Sequence, residues 1–162
     1  MKRFLVAAAL AWFACFMAPA HAGQAQAGQD QAGEDQPGVE HAALIKAVTG
    51  VVTIVRQQTS FPATAGSTLR VSDRVVTGPG ASAAIVFRDG TLLTLGAAAD
   101  VLVRDYVFAP KDGKFAFGLY LAKGSAIYES GKIGKLAAPA VKIDTPKATV
   151  GVRGTRLLIE AN

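Results

Sequence analysis

The chain has 162 residues, which is enough for one domain. It carries 17 Lys and Arg against 12 Asp and Glu, a formal net charge of +5. Cys15 is the single cysteine and lies in an N-terminal apolar run, so the rest of the sequence is excluded from disulfide and thiolate chemistry.

The first 22 residues have the pattern of a secretory signal peptide. Residues 1–3 include the basic pair Lys2 and Arg3, residues 4–17 are an apolar run, and residues 20–22 have the small-x-small spacing of a cleavage site. We therefore predict cleavage after Ala22 and a periplasmic or secreted mature protein. A transmembrane anchor is the alternative, although the apolar run is shorter than the ~20 residues that span a bilayer.

A lipid-modified Cys15 is the second alternative for the leader. That modification favours a Leu-like residue three places upstream and a small or polar residue directly after the cysteine. Trp12 and Phe16 occupy those positions here. The sequence therefore favours a cleaved peptide over a lipid anchor.

Residues 23–40 are predicted to be a disordered linker. Residues 23–38 contain no aromatic and no branched aliphatic side chain, so the segment cannot bury enough apolar surface to offset its ordering entropy. We expect a protein that starts at His41 to keep its thermal stability. The linker has four acidic and no basic residues, a net charge of −4.

The remainder of the chain is basic. From His41 onward there are 15 basic and 8 acidic residues, a net charge of +7. This charge fits an anionic partner such as a lipid or glycan surface, or simply a solvated surface that keeps the protein soluble. The export signal disfavours nucleic acid as a partner.

Residues 41–162 are predicted to form one all-β domain. Short runs rich in Val, Ile, Leu and Thr recur between Gly and Pro residues, as expected for antiparallel strands in a solenoid-like coil or a sandwich. No fixed repeat decides between these two arrangements. Residues 96–100 are the best helical candidate but are too short to stand alone. The predicted strands are 47–56, 68–77, 81–88, 91–95, 101–106, 114–123, 125–129, 140–145 and 156–160.

The clearest hairpin signal is Asp89-Gly90 between two of these strands. Asp-Gly favours the positive φ angles of a type I′ turn, whose twist suits antiparallel strands. On the flanking strands, side-chain alternation places Phe87 on an apolar face, and Phe117 lies on an apolar face further along the chain. We predict that both phenylalanines are core anchors.

Catalysis and metal binding have little support in the sequence. His41 is the one histidine that remains after cleavage and lies outside the strand-rich region, so the serines lack a general base. There is also no second histidine with which it could form a metal site. Asp89 and Asp144 are each explained by turn chemistry rather than as a carboxylate pair. No cofactor is predicted.

Five pieces of the sequence form an ordered set: residues 50–52, residues 69–78 with their Thr-Gly ending, residues 84–91 with Asp-Gly-Thr, residues 121–125, and residues 145–155 with Thr-Pro and Val-Arg-Gly-Thr. In this order they resemble the FecR-type periplasmic domain. The resemblance covers most of residues 48–159. Its structural motif residues here are Asp89, Gly90, Thr91, Thr145, Pro146, Arg153, Gly154 and Thr155.

The resemblance implies an all-β envelope module and no catalytic residue. In signalling members of the family, a cytoplasmic segment holds a sigma factor and a secretin-like domain contacts a receptor. This chain matches neither extension, so we expect no sigma-factor contact within it. The sequence favours a stand-alone exported module for binding, sensing or scaffolding through protein or glycan contacts. An enzyme that acts on a cell-wall polymer is the alternative.

Arg153 is the most tempting ligand-binding residue, because glycines flank it. We predict instead that its guanidinium donates to backbone carbonyls of neighbouring strands, with Gly151 and Gly154 permitting a close backbone approach. Arg153→Ala would then leave buried acceptors unsatisfied, at a cost of ~1–3 kcal/mol.

Overall fold

The computed structural model describes residues 40–153 and 156–162. Within them one curled sheet, antiparallel except for one strand pair, forms a half-barrel, which confirms the predicted all-β class. The strands are β1 (Ala43–Thr49), β2 (Val52–Arg56), β3 (Thr59–Pro62), β4 (Thr68–Leu69), β5 (Arg74–Thr77), β6 (Ser82–Phe87), β7 (Leu92–Leu95), β8 (Asp100–Ala109), β9 (Lys114–Glu129), β10 (Val141–Asp144), β11 (Thr149–Gly151) and β12 (Arg156–Ala161). A short helix α1 (Lys132–Leu136) and 3₁₀ turns at Pro110–Asp112 and Ala138–Ala140 complete the described elements.

Strand β9 is the centre of the sheet. Its first half pairs antiparallel with β8 and parallel with β10, whereas its second half pairs antiparallel with β7 and β12. The path through neighbouring strands runs β3-β2-β5-β8-β9-β7-β6-β1-β4, with β10, β11 and β12 off this path. The half-barrel therefore has two surfaces that share β9. The first half of β9 belongs to the surface with β2, β3, β5, β8, β10 and β11, and its second half belongs to the surface with β1, β4, β6, β7 and β12.

Two glycines bend the chain where it passes between these surfaces. Gly124 lies within β9 with φ +84°, and a Cβ atom there would lie 2.5 Å from the Cα of Ala99. Gly50 separates β1 from β2 with φ +74°, and its Cβ would lie 3.0 Å from the Cβ of Ala81. Both sites require a left-handed backbone and the absence of a side chain.

The core contains a cluster of aromatic rings. Phe87 and Phe117 are buried, as predicted, and their ring centroids lie 4.8 Å apart in an edge-to-face arrangement. Tyr128 lies 5.6 Å from Phe117, and Tyr106 lies 5.5 Å from Phe87. Such ring pairs add stabilisation beyond the area that they bury.

Most predicted strands are present, but several boundaries were wrong. Residues 47–56 are two strands divided at Gly50, and residues 68–77 are divided by a turn in which Ser72 has φ +74°. Conversely, the two strands predicted on either side of Gly124 are one continuous strand. Residues 96–99 form a turn rather than a helix, and the helix of the described residues is α1, which was not predicted.

Turn chemistry differs from the prediction at Asp89-Gly90. The hairpin β6–β7 is confirmed, but Arg88 and Asp89 do not have the positive φ of a type I′ turn; only Gly90 does, at +84°. The amide of Gly90 donates to the carbonyl of Phe87 at 2.9 Å, which fits a three-residue loop that ends in a glycine bulge.

The two positive φ angles of a type I′ turn occur elsewhere, in the hairpin between β2 and β3. Gln57 and Gln58 have φ +47° and +70° and join the paired residues Arg56 and Thr59. Because Gln-Gln lacks the Gly, Asn or Asp of ordinary turn signatures, neither this hairpin nor β3 was predicted.

Candidate functional site

Asp89, Gly90 and Thr91 form a buried clasp between the β6–β7 hairpin and α1. The Asp89 carboxylate is 1% exposed. It accepts hydrogen bonds from the amide of Thr91 at 3.2 Å, the hydroxyl of Thr91 at 2.7 Å and the amide of Ile133 at 3.1 Å. The Thr91 hydroxyl in turn accepts from the amide of Gly131 at 3.1 Å. These bonds tie the β6–β7 hairpin to the start of α1.

Tyr106 closes the clasp from β8. Its hydroxyl accepts from the amide of Asp89 at 2.8 Å and lies 3.4 Å from the carboxylate, to which it donates. Burial, followed by the charge of Asp89, raises the pKa of Tyr106 well above its ordinary value. Burial also raises the pKa of Tyr128 in the neighbouring core. Both phenols are thus held in their neutral form.

Thr145 and Pro146 lie in the turn of the β10–β11 hairpin. The Thr145 hydroxyl accepts from the amide of Ala148 at 3.0 Å, and the Thr145 amide donates to the carbonyl of Ala148 at 2.8 Å. Next to the turn, the Thr149 hydroxyl donates to Asp144 at 2.6 Å. These contacts are local, as expected for a Thr-Pro turn.

Arg153 does not show the predicted contacts. Its side chain is exposed, and no residue of the described ranges accepts a hydrogen bond from it. A Cβ at Gly151 would meet no atom within 4 Å, so the close backbone approach predicted there was wrong. Gly154 and Thr155 lie outside the described residues. We now expect Arg153→Ala to change stability by less than ~0.5 kcal/mol, as at ordinary surface positions.

The predicted signal peptide and linker also lie outside the described residues, up to residue 39. Glu40 is described and forms an ion pair with Arg88. His41 is exposed. In residues 40–153 and 156–162, no group of three or more His, Cys, Asp and Glu side chains could hold a metal ion.

The arginines and the lysines of the domain differ in whether they form ion pairs. Five ion pairs link residues of the described ranges, and each uses an arginine. In the most buried pair, Asp73 accepts from Arg56 at 2.8 and 2.7 Å, and this bonding raises the pKa of the guanidinium. The eight lysines of the described residues are exposed, and none of them forms an ion pair there: Lys46, Lys111, Lys114, Lys123, Lys132, Lys135, Lys142 and Lys147. Among the described residues, the basic charge without an ion pair is therefore mainly that of ammonium groups, together with Arg70 and the exposed Arg153.

An open groove of about 360 Å³ lies on the outer surface of β8, β9 and β10. Ala116 and Gly118 contribute to its lining from β9, with Phe115, Pro139 and Ala140 beside them. These small β9 residues face the open groove. A Cβ at Gly118 would lie 3.2 Å from the Cβ of Asp105, so the glycine leaves room for Asp105 in this part of the groove.

Charged side chains line both sides of the groove. Arg104 donates to Asp144 at 2.8 Å and lies 4.2 Å above the ring of Tyr120, which holds the guanidinium in place. Lys142 and Asp105 are the cross-strand neighbours of Gly118 on its two sides. They are therefore roughly 10 Å apart, two inter-strand spacings. Neither forms an ion pair with a described residue, so both are available to a ligand.

A bulge in β8 produces this arrangement. The register with β9 shifts between Val103 and Asp105, so that the consecutive residues Arg104 and Asp105 are both exposed. Bulges commonly re-aim side chains in this way. No sequence signal marked this bulge, and β10 reaches the groove only through its parallel pairing with β9. The groove was accordingly missed by sequence reasoning.

No helix of the described residues is long and apolar enough to cross a membrane. No curated protein and no solved structure matches the chain. A family model with the description "FecR protein" matches residues 73–162, which is more than half of the chain. This match spans β5 to β12 and so includes the clasp at Asp89, the groove and the central strand. The chain therefore belongs to the FecR protein family.

Proposed function

We propose that the protein is a non-catalytic binding module of the bacterial envelope and that the groove between β8 and β10 is its contact site. Membership of the FecR family supports a signalling or sensory role in the envelope. The observation that carries the proposal is the unpaired ammonium of Lys142 and carboxylate of Asp105 on opposite sides of an uncharged strip.

This geometry suits an extended polar chain. A groove about two strand spacings wide admits one peptide strand or one glycan chain. Lys142 offers donors to carbonyl, carboxylate or phosphate oxygens, and Asp105 accepts from amide or hydroxyl groups. The free lysines around the domain favour an anionic partner. We propose an envelope protein segment as the principal ligand and an anionic glycan or lipid surface as the second.

The test compares capture from envelope extracts by immobilised wild-type and variant proteins. Lys142→Glu reverses the charge at one side of the groove, and Ala116→Trp fills its lining. Lys147→Glu makes the same charge change in the β10–β11 turn, outside the groove. We expect both groove variants to retain a specific component about tenfold less well, a loss of ~1.4 kcal/mol, whereas Lys147→Glu behaves as wild type.

Thermal melts of all three variants establish that each is folded. Protease and glycosidase treatment of the extract identifies the retained component as protein or glycan. Equal retention by wild type and both folded groove variants would refute the groove as the contact site.

A further inference from the structure

Strand β12 presents an edge that is ready to pair with another strand. It pairs with β9 over six consecutive residue pairs, from Arg156↔Glu129 to Ala161↔Gly124, with no register shift. No other described strand pairs with β12. Proteins usually protect such edges with proline, bulges or very short strands. The edge strand β3 contains Pro62, and β4 and β11 have two and three residues. Strand β12 has six residues, no proline and no bulge, and its two charged residues have opposite signs.

The side chains of β12 alternate so that the strand is complementary to a second β12 that runs antiparallel to it. Arg156, Leu158 and Glu160 are exposed on the outer face. Arg156 forms an ion pair with Glu129 of β9 at 3.2 Å and stays 69% exposed, so a second carboxylate can reach it from the open edge. Leu157 and Ile159 point to the inner face, where Ile159 is buried. In an antiparallel pair, directly opposite residues lie on the same face. A two-fold axis through Leu158 would therefore place Arg156 opposite the Glu160 of a second copy, twice, with the leucines opposite each other between them.

Other symmetric registers lose this complementarity. Moving the axis to Leu157 or Ile159 leaves Arg156 and Glu160 without each other as neighbours. A parallel arrangement would set like charges side by side, which is unfavourable. The sequence of this strand thus favours one orientation and one register.

The exposed apolar side chain of Leu158 favours covering this edge of the sheet. It is 60% exposed although it is a large apolar residue. Its cross-strand neighbour is Ile127 of β9, which is followed by Thr94 of β7 and Ala84 of β6 in the same row. This row carries no charge, and pairing through β12 would extend it across both copies.

We propose that two copies of this chain associate through antiparallel pairing of their β12 strands about Leu158. The partner is a second copy because Arg156 and Glu160 complement each other across the axis. The contact is one strand edge, at the small end of protein interfaces, which are weak and transient below about 1,200 Å². The dimer therefore forms at high local concentration.

Sedimentation velocity of the full chain over a range of concentrations measures the association. We expect a monomer–dimer equilibrium in the wild type. Glu160→Arg would place Arg opposite Arg at both ends of the pair and should weaken association at least tenfold. The double variant Arg156→Glu with Glu160→Arg restores opposite charges across the axis and should recover part of the dimer, because Arg156→Glu also removes the ion pair with Glu129. Circular dichroism shows whether each variant is folded.

Disulfide trapping tests the register directly in a Cys15→Ala background. Leu158→Cys places the two thiols opposite each other at the axis, so mild oxidation should yield a covalent dimer. Leu136→Cys is the matched control, because Leu136 is 63% exposed and belongs to α1 rather than to β12. A wild type that stays monomeric at all concentrations, or equal crosslinking at the two positions, would overturn the proposal.

Discussion

Replacement of Asp89 by alanine should be among the most destabilising single changes in the domain. It removes the acceptor for three close donors, namely the amide and hydroxyl of Thr91 and the amide of Ile133. A buried donor left unsatisfied costs ~1–3 kcal/mol. The three costs do not add fully, because the donors share one network and the substitution also relieves the burial of a charge. We expect a loss of about 3–5 kcal/mol in the free energy of unfolding.

Urea denaturation followed by circular dichroism measures this loss by linear extrapolation. Asp89→Asn keeps one acceptor oxygen but turns an amide group toward donors, so it should fall between wild type and alanine. Asp112→Ala is the control, because Asp112 is exposed at the tip of the β8–β9 hairpin, and it should change stability by less than ~0.5 kcal/mol. If Asp89→Ala costs less than ~1 kcal/mol, the clasp does not stabilise the fold in the way that its hydrogen bonds indicate.

Three further outcomes follow from the core and the strand bend. Gly124→Ala should lower the free energy of unfolding by at least ~1–2 kcal/mol more than Gly90→Ala does. Both glycines have φ +84°, but only Gly124 is crowded by a neighbouring backbone. Equal losses in urea denaturation would contradict this prediction. Phe117→Ala should cost ~3–5 kcal/mol, and a loss below ~1 kcal/mol would contradict its role as an anchor. Burial raises the pKa of Tyr106, so near pH ~10 tyrosine ionises in the unfolded chain but not in the folded one, and the free energy of unfolding should fall as pH rises through this range. Tyr106→Phe should flatten this decline. An unchanged slope in the variant would contradict the role of Tyr106.

Alternation of side chains was a reliable guide to the central strands. The pattern around Phe87 and Phe117 placed both residues in the core, because a strand with one buried face has only one register that satisfies it. Asp-Gly predicted the β6–β7 hairpin for the right reason, the positive φ of glycine. The predicted turn type was wrong because Asp89 serves as a hydrogen-bond acceptor in the core, a tertiary role that a dipeptide does not reveal.

The groove and the clasp depend on long-range pairing. Lys142 and Asp105 become neighbours of Gly118 only when β10 and β8 pair with β9. Helix α1 is five residues long, too short to be stable alone, and is held through the contact of Ile133 with Asp89. Periodicity within a segment carries no information on these contacts, whereas the order of the family motifs does reflect the fold that contains them.

The position of β9 has a consequence for how the protein folds. Because both surfaces of the half-barrel share this strand, neither can be completed while β9 is unpaired. Its partners range from β7, earlier in the chain, to β12 at residues 156–161, so many of the decisive contacts are non-local. Folds of this kind form in milliseconds to seconds rather than microseconds. We expect equilibrium unfolding to be a single cooperative transition, in which the loss of β9 dissolves both surfaces together.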